Sequence, residues 1–313
     1  MIVVFGAHGQ LGQALQQQLG EAPEHVFLTR ESRDYCGDIA NTAGLTETLM
    51  DLRPNIVINA AAYTAVDQAE TQADQAQLIN AKAPGVMAQV AAKIDALLVH
   101  YSTDYVFDGH GEQPWRETDA CAPLSVYGKT KRAGEEAVLH SGCRHLILRT
   151  SWVFSGQGKN FLTTMLQLAE EKTELRVIND QWGAPTHVNL LAETTLDLIN
   201  LATPGFGSAN PDPIASGIYH CASGGTTNWF DYARLVINTA KSLGKATACE
   251  RVLPIPTKDY PTPAQRPLNS RLNTEKLRHA LGIDMPPWQD DVIRTVREIV
   301  FSDDSPAITP PLQ

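Results

Sequence analysis

The chain opens on a short apolar run, Met1-Ile2-Val3-Val4-Phe5, followed at once by Gly6-Ala7-His8-Gly9-Gln10-Leu11-Gly12 and a helical pattern over residues 13–19. Strand, glycine-rich turn and helix in that order are what a dinucleotide-phosphate loop requires. Gly6 permits the tight turn, Gly9 lets the backbone approach a pyrophosphate, and Gly12 lets the helix pack closely on the strand, its amino end facing the phosphates. The spacing is Gly-x-x-Gly-x-x-Gly, so an ordinary strand-to-helix turn stays open as the alternative. With the pattern beginning at Met1, no targeting segment is expected ahead of the fold.

Further apolar runs repeat the rhythm. Residues 26–28 read as a second strand, ending in Thr29-Arg30. Where an NAD site usually places a carboxylate for the ribose 2′-hydroxyl, this chain offers a hydroxyl and a guanidinium, which turns the expectation toward the 2′-phosphate of NADPH with Arg30 as its partner. A solvated arginine at a loop start is the alternative. Residues 55–59 form a third strand, followed by the small side chains Ala60 to Ala62 and then Tyr63 and Thr64, which leave room for a ligand. A long helix is expected over 74–93; Asn80 within it reads as solvated, with a hydrogen bond to neighbouring backbone as the alternative. Strands over 96–99 and 145–149 flank a helix over 130–139. Strands alternating with helices predict an α/β fold, a Rossmann-type doubly wound parallel sheet with right-handed crossovers. Ligands bind such sheets at the carboxyl edge, where Tyr101, Ser102 and Thr103 fall.

Tyr127 and Lys131 stand four residues apart and share one helical face. An ammonium beside a phenol favours the phenolate, so Lys131 is expected to lower the Tyr127 pKa into a range useful for proton exchange, while a strand-end hydroxyl holds the substrate oxygen. Taken alone, Tyr-x-x-x-Lys is short and common; the glycine turn and the strand-end hydroxyls give it weight.

Beyond Asn160 the rhythm loosens. Helices are expected over 161–171, 188–201, 229–243 and 289–301, with a capped helix over 274–281 headed by Thr274. Short strands are expected over 175–178 and 218–221, and exposed turn-rich loops over 179–186 and 204–216. The proline-rich segment 251–270 excludes regular helix, and Arg266 and Asn269 within it suit an anionic ligand. Trp152 reads equally as a cleft wall or a core residue. The division expected is residues 1–155 mainly as the dinucleotide-binding domain, 156–301 mainly as a smaller C-terminal substrate-binding domain with segments returning to the first, and a flexible polar tail over 302–313. The net charge of −10 argues against nucleic acid as partner. No apolar run reaches the ~20 residues that span a bilayer. Five scattered cysteines fit reduced thiols of a cytoplasmic enzyme better than a disulfide framework, and the histidines show no metal-ligand spacing.

Together, Gly6-x-x-Gly9-x-x-Gly12, the run from Tyr101-Ser102-Thr103-Asp104 to Gly109, and Tyr127-Gly128-Lys129-Thr130-Lys131 resemble the extended short-chain dehydrogenase/reductases. Within them, Asn59-Ala60-Ala61-Ala62-Tyr63-Thr64-Ala65-Val66-Asp67, Arg149-Thr150-Ser151-Trp152-Val153-Phe154, Asn179-Asp180-Gln181-Trp182-Gly183-Ala184-Pro185-Thr186 and Arg266-Pro267-Leu268-Asn269-Ser270-Arg271-Leu272 resemble the dTDP-4-dehydrorhamnose reductase family, over roughly residues 1 to 300. The resemblance implies reduction of the 4-keto group of dTDP-4-dehydro-L-rhamnose to dTDP-L-rhamnose, with NADPH or NADH as cofactor. It implies that Tyr127 protonates the developing alkoxide, Lys131 binds the nicotinamide ribose and lowers the phenol's pKa, and Thr103 hydrogen-bonds the carbonyl oxygen. Asp104 and Trp152 then contact the sugar nucleotide, and Gly9, Gln10, Leu11, Asp38, Ile39, Ala62, Tyr63, Thr64 and Tyr101 line the cofactor. Some members are described as dimers bridged by magnesium through carboxylates; the positions here are Gln13-Ala14 and Asn189, poor magnesium ligands, so no bridging metal is expected and the chain is a monomer or homodimer. An epimerase or dehydratase acting on another nucleotide sugar, and a non-catalytic regulatory subunit of the same fold, are the competing functions.

Overall fold

In the computed structural model, which describes residues 1–203 and 214–303, six strands form one parallel sheet. They are β1 (Ile2–Phe5), β2 (His25–Leu28), β3 (Ile56–Asn59), β4 (Leu97–Thr103), β5 (Arg144–Thr150) and a returning strand, Gly217–His220. In space β2 lies at one edge, then β1, β3, β4, β5 and the returning strand at the other, all pairs parallel. The order reverses between β1 and β3, the switch point where such sheets open a crevice. That placement follows from the expected strands, each found within a few residues.

Alternation along the strands splits the core into two faces. Ile2, Val4, Ile56, Ile58, Leu97, Val99, Leu146 and Leu148 pack with helix α1 (Gln10–Leu19) and the helix Val188–Ala202. Val3, Phe5, Val57, Leu98 and Ile147 pack with helix α2 (Thr42–Leu52) and the helix Ala83–Ile94. A separate cluster, with Phe154, Leu162, Met165, Tyr232, Val236, Trp288 and Val292, builds the C-terminal part from helices Phe161–Glu171, Trp229–Ser242 and Trp288–Asp303 beside the paired strands Glu174–Ile178 and Arg251–Ile255.

Three local readings are corrected, and that of the proline-rich segment, which excluded regular helix, is extended. Asn80, read as solvated, is 1% exposed: it accepts from Tyr63 N at 2.8 Å and donates to Tyr63 O at 3.0 Å and Thr130 Oγ1 at 3.2 Å. It sits in a wide turn, Leu78–Lys82, where the expected helix loosens to π geometry, as helices do near functional sites. The Tyr127 helix begins earlier than expected, at Val126, because Ser125 caps it by accepting from Gly128 N at 3.1 Å. The proline-rich segment contains the strand Arg251–Ile255. Thr274 stands at its helix's N-cap without a side-chain bond; Asn273 Oδ1 takes the Glu275 amide instead, at 2.8 Å. Of the polar loop, 204–213 lies outside the described residues; of the tail, Ser302 and Asp303 belong to the last helix and the remainder lies outside.

The Tyr127 helix lies hard against the Asn80 turn. A Cβ added to Gly134 would stand 2.1 Å from the Asn80 carbonyl oxygen. Gly134→Ala is therefore expected to lower folding stability by about 1–3 kcal/mol, the usual penalty of overpacking, read as a shift of the urea midpoint; an unchanged midpoint would contradict that contact.

Candidate active site

A cleft of about 580 Å³ runs along the carboxyl edge of the sheet across the switch point, lined among others by Gly6, Gly9, Gln10, Leu11, Arg30, Asp38, Ile39 and Ala62, and by Thr64, Tyr101, Ser102, Tyr127 and Lys131. Most of the residues expected to meet a cofactor thus share one wall. Gly12 and Tyr63 do not line it: Gly12 lies where a Cβ would stand 2.1 Å from Gly6 O, and the Tyr63 phenol donates to Gln72 Oε1 at 2.9 Å.

The glycine turn is shaped for a phosphate. Gly6 has φ of +84°, and a Cβ there would come within 2.7 Å of Ala61 N, so only glycine fits. Helix α1 starts at Gln10 behind the N-cap Gly9, which has no side chain to offer, and this leaves its first amides unpaired and its positive end facing the cleft. Gln10 Oε1 is held by Ser155 Oγ at 2.7 Å and Asn160 Nδ2 at 3.1 Å, tying the turn to the start of the C-terminal part. Glu31, which was not singled out in the sequence, also lines the cleft and lies 3.7 Å from His8 Nδ1.

At the other end stand Tyr127, Thr103, Asp104 and Lys131, all buried apart from the half-buried Tyr127. Thr103 Oγ1 donates to Asp104 Oδ1 at 3.0 Å and accepts from Tyr105 N at 3.2 Å. Tyr105 meets the Tyr127 ring edge-on at 5.5 Å. Burial pushes the Tyr127 phenol well above its ordinary pKa and the Asp104 carboxyl adds to the shift, against the Thr103 hydroxyl, which lowers it. The expected depression by Lys131 is thus overturned. The amine donates to Tyr101 O at 2.6 Å, and its own pKa is pulled down to about 8 by burial, with Glu135 opposing.

Glu135, on the same helix, is 0% exposed and forms a two-pronged ion pair with Arg149 of β5, itself 1% exposed, both contacts at 2.7 Å. Arg132 also reaches Glu135, at 2.9 Å. The sequence hinted at the pair only through a charged residue ending the apolar run of β5.

Two expected ligand contacts take other partners. Arg266 forms a paired contact with Asp67, at 2.8 and 3.1 Å, and holds that carboxyl below its ordinary pKa. Trp152, half-buried with φ of +49°, stacks on Trp229 at 3.7 Å between centroids. Gln13, Ala14 and Asn189 do meet, along a smaller cleft of about 290 Å³ with Glu298. Among the described residues no cluster of His, Cys, Asp and Glu could hold a metal ion, no helix is long and apolar enough to cross a membrane, and all five cysteines are free.

Asp104 carries a measurable consequence. Burial raises its carboxyl to about 6, partly offset by the Ser270 and Thr103 hydroxyls. A carboxyl raised on folding stabilises the fold below its unfolded pKa and loses that contribution as pH rises through about 6. Between pH 4 and pH 7 the stability of Asp104→Asn relative to wild type is therefore expected to improve by up to about 3 kcal/mol, measured by urea unfolding at both pH values; a difference that does not change with pH would contradict the burial of this charge.

Comparison with known proteins converges on one family. The model of the RmlD substrate binding domain matches residues 1–301. The dTDP-4-dehydrorhamnose reductase of Escherichia coli (strain K12) is 48% identical over 298 residues, covering 95% of this chain and 97% of that protein. That of Burkholderia thailandensis is 40% identical, covering 96% and 99%. Among solved structures, the dTDP-4-dehydrorhamnose reductase of Bacillus anthracis in complex with NADP superposes with a TM-score of 0.83 at 33% identity, covering 95% of this chain and 98% of that one. Matched along nearly its whole length, the chain belongs to the dTDP-4-dehydrorhamnose reductase family.

Proposed function

We propose that this protein reduces the 4-keto group of dTDP-4-dehydro-L-rhamnose to dTDP-L-rhamnose with NADPH, supplying an activated sugar for surface polysaccharide, in the cytoplasm. The observation that carries the reading is the Tyr127 phenol buried beside Thr103 at the inner end of a cleft whose outer end is a phosphate-shaped glycine turn. Relatives at 40–48% identity carry the name of that reaction, and the Bacillus anthracis relative was solved with NADP.

The residues fit a nicotinamide dinucleotide. The uncapped start of α1 and the glycines serve its pyrophosphate, Asp38 and Ile39 its adenine, and Arg30 a 2′-phosphate. Ala62, Thr64 and Tyr101 serve its inner half, with Lys131 on the ribose. Reduced nicotinamide, when bound, supplies the hydride that a carbonyl carbon accepts. Thr103 then turns its one hydroxyl proton from Asp104 Oδ1 to the carbonyl oxygen, and Tyr127 passes its proton to that oxygen as negative charge develops there. A phenol kept protonated by burial is the form a reductase needs at rest, because the proton moves outward. Lys131, once it carries a proton, stabilises the phenolate left behind. Asp104 and Trp152 border the sugar, and Arg266 stands available to the diphosphate if it exchanges Asp67 for that anion. In this reading residues 1–155 mainly hold the cofactor, and 156–301 mainly hold the nucleotide sugar.

Reduced-nicotinamide absorbance followed with enzymatically generated dTDP-4-dehydro-L-rhamnose tests the reaction and its donor together. Tyr127→Phe is expected to lower kcat by about 10²–10⁴-fold, the usual contribution of a positioned acid, with KM for the sugar nucleotide little changed; full activity of the variant would remove Tyr127 from the role. Arg30→Ala is expected to raise KM for NADPH by about tenfold or more, as losing a charge-assisted phosphate contact does, while leaving KM for NADH in place. Equal effects on both cofactors would assign Arg30 to the solvated loop.

A further inference from the structure

The inner end of the cleft holds a hydroxyl that the proton transfer proposed above leaves unused. Thr150 ends β5 in register with Thr103 of β4 and lines the cleft together with Tyr101, Val153 and Leu191. Alternation along β5 puts it on the face of Leu146 and Leu148, which α1 and the helix Val188–Ala202 cover; the helix that carries Tyr127 and Lys131 packs on the other face. Thr150 is 7% exposed, and its Oγ1 is buried with no hydrogen-bond partner among the described residues. The hydroxyls around it are committed elsewhere. The Tyr101 phenol meets Thr195 Oγ1 at 2.6 Å, Ser151 Oγ donates to Ala184 O at 3.3 Å, and Thr103 Oγ1 donates to Asp104. Ser102 Oγ, the other unpartnered hydroxyl of a cleft-lining residue, is turned by the same alternation to the opposite face.

A native fold leaves few buried polar atoms unpaired, and one that borders a ligand cleft is accounted for by a ligand that pairs it. Val153 and Leu191 beside Thr150 are apolar, so this wall offers carbon contact for a flat ring and a single hydrogen bond. A sugar, with hydroxyls all round it, matches such a wall poorly. A nicotinamide matches it: the ring is flat, and its one polar substituent is a carboxamide that can both give and receive a hydrogen bond, as a threonine hydroxyl can. We propose that Thr150 Oγ1 is the hydrogen-bond partner of the nicotinamide carboxamide, with Val153 and Leu191 carrying the ring beside it. The contact fixes the rotation of the ring about its bond to the ribose. Turned by half a revolution, the carboxamide would leave Thr150 and the ring would present its other face to the substrate.

The inference rests on the nicotinamide reading of the cleft and adds a residue to it. Calorimetric titration compares NADP⁺ with 2′-phospho-ADP-ribose, the same molecule without its nicotinamide. Thr150→Val keeps the shape and removes the hydroxyl; it is expected to weaken NADP⁺ binding by about three- to tenfold, as loss of one neutral hydrogen bond does, and to leave 2′-phospho-ADP-ribose binding unchanged. Thr150→Ser is expected to recover most of the loss. In the unliganded protein, Thr150→Val is expected to melt no lower than wild type, because its hydroxyl has no partner to lose. Equal weakening of both ligands, or no weakening of NADP⁺, would overturn the proposal. So would a lowered thermal midpoint or failure to fold in unliganded Thr150→Val, which would make the hydroxyl part of the fold. A raised KM for the sugar nucleotide with NADP⁺ binding intact would overturn it by giving the hydroxyl to the substrate. A wild type that binds neither ligand would remove the nicotinamide reading itself and this contact with it.

Discussion

The ion pair between Glu135 and Arg149 is the contact on which the geometry of the site depends. Both side chains are buried, and charges taken out of water are tolerated only when their partners meet them closely. The guanidinium satisfies both carboxylate oxygens, so the helix Val126–Leu139 can lie in only one orientation over β5. Such a pair contributes little net stability, since desolvation offsets most of the attraction. Its effect is geometric. Lys131 and Tyr127, one and two turns back along the same helix, are thereby held over the carboxyl end of β4.

A second set of contacts fixes the height of that helix. Asn80 bridges the loop after β3 to Thr130, and Gly134 lets the helix settle against the Asn80 carbonyl. Ser125 caps the helix, and Glu70 takes the amide of Val126 at 2.9 Å. With its support set in this way, the Tyr127 phenol sits in a buried pocket that favours its protonated form. The other end of the cleft follows a different logic, with few side-chain commitments and unpaired backbone amides at the start of α1. One end is thus preorganised for a proton and the other for an anion. Asp67 and Arg266 join the two parts of the chain near Tyr105, where a partly exposed pair can exchange partners more readily than a buried one.

Much of this was legible in the sequence because it is written in local patterns. The strand-turn-helix at the amino terminus, the alternation of apolar runs and helices, and Tyr127 with Lys131 on one face all depend on neighbours within a few residues. Less legible were the contacts between residues far apart. Asn80 reads as a polar residue on a helix, and nothing nearby shows that its amide closes on Tyr63 and Thr130. The expected effect of Lys131 on Tyr127 failed for the same reason: spacing places two side chains on a face but does not reveal that the amine is engaged by a carbonyl of β4 and that burial dominates both groups. Arg266 reads as an anion site and finds Asp67, about two hundred residues away in the chain. Asn59 and His100, polar residues inside buried parallel strands, were the available signal of one more such contact, that between their own side chains, because a buried polar side chain needs a partner.

In the proposed reaction the inner end of the cleft brings a carbonyl of the nucleotide sugar to the nicotinamide and to the buried phenol together, while the rest of the dinucleotide reaches back to the glycine turn. Single-turnover reduction of dTDP-4-dehydro-L-rhamnose with NADPH carrying deuterium at the transferable position tests it most directly. Deuterium is expected at C4 of the sugar, with NADP⁺ released in equal amount. Sugar recovered without deuterium, or a cofactor that stays bound and returns to its starting oxidation state, would contradict it and place the protein among the epimerases or dehydratases of the same fold.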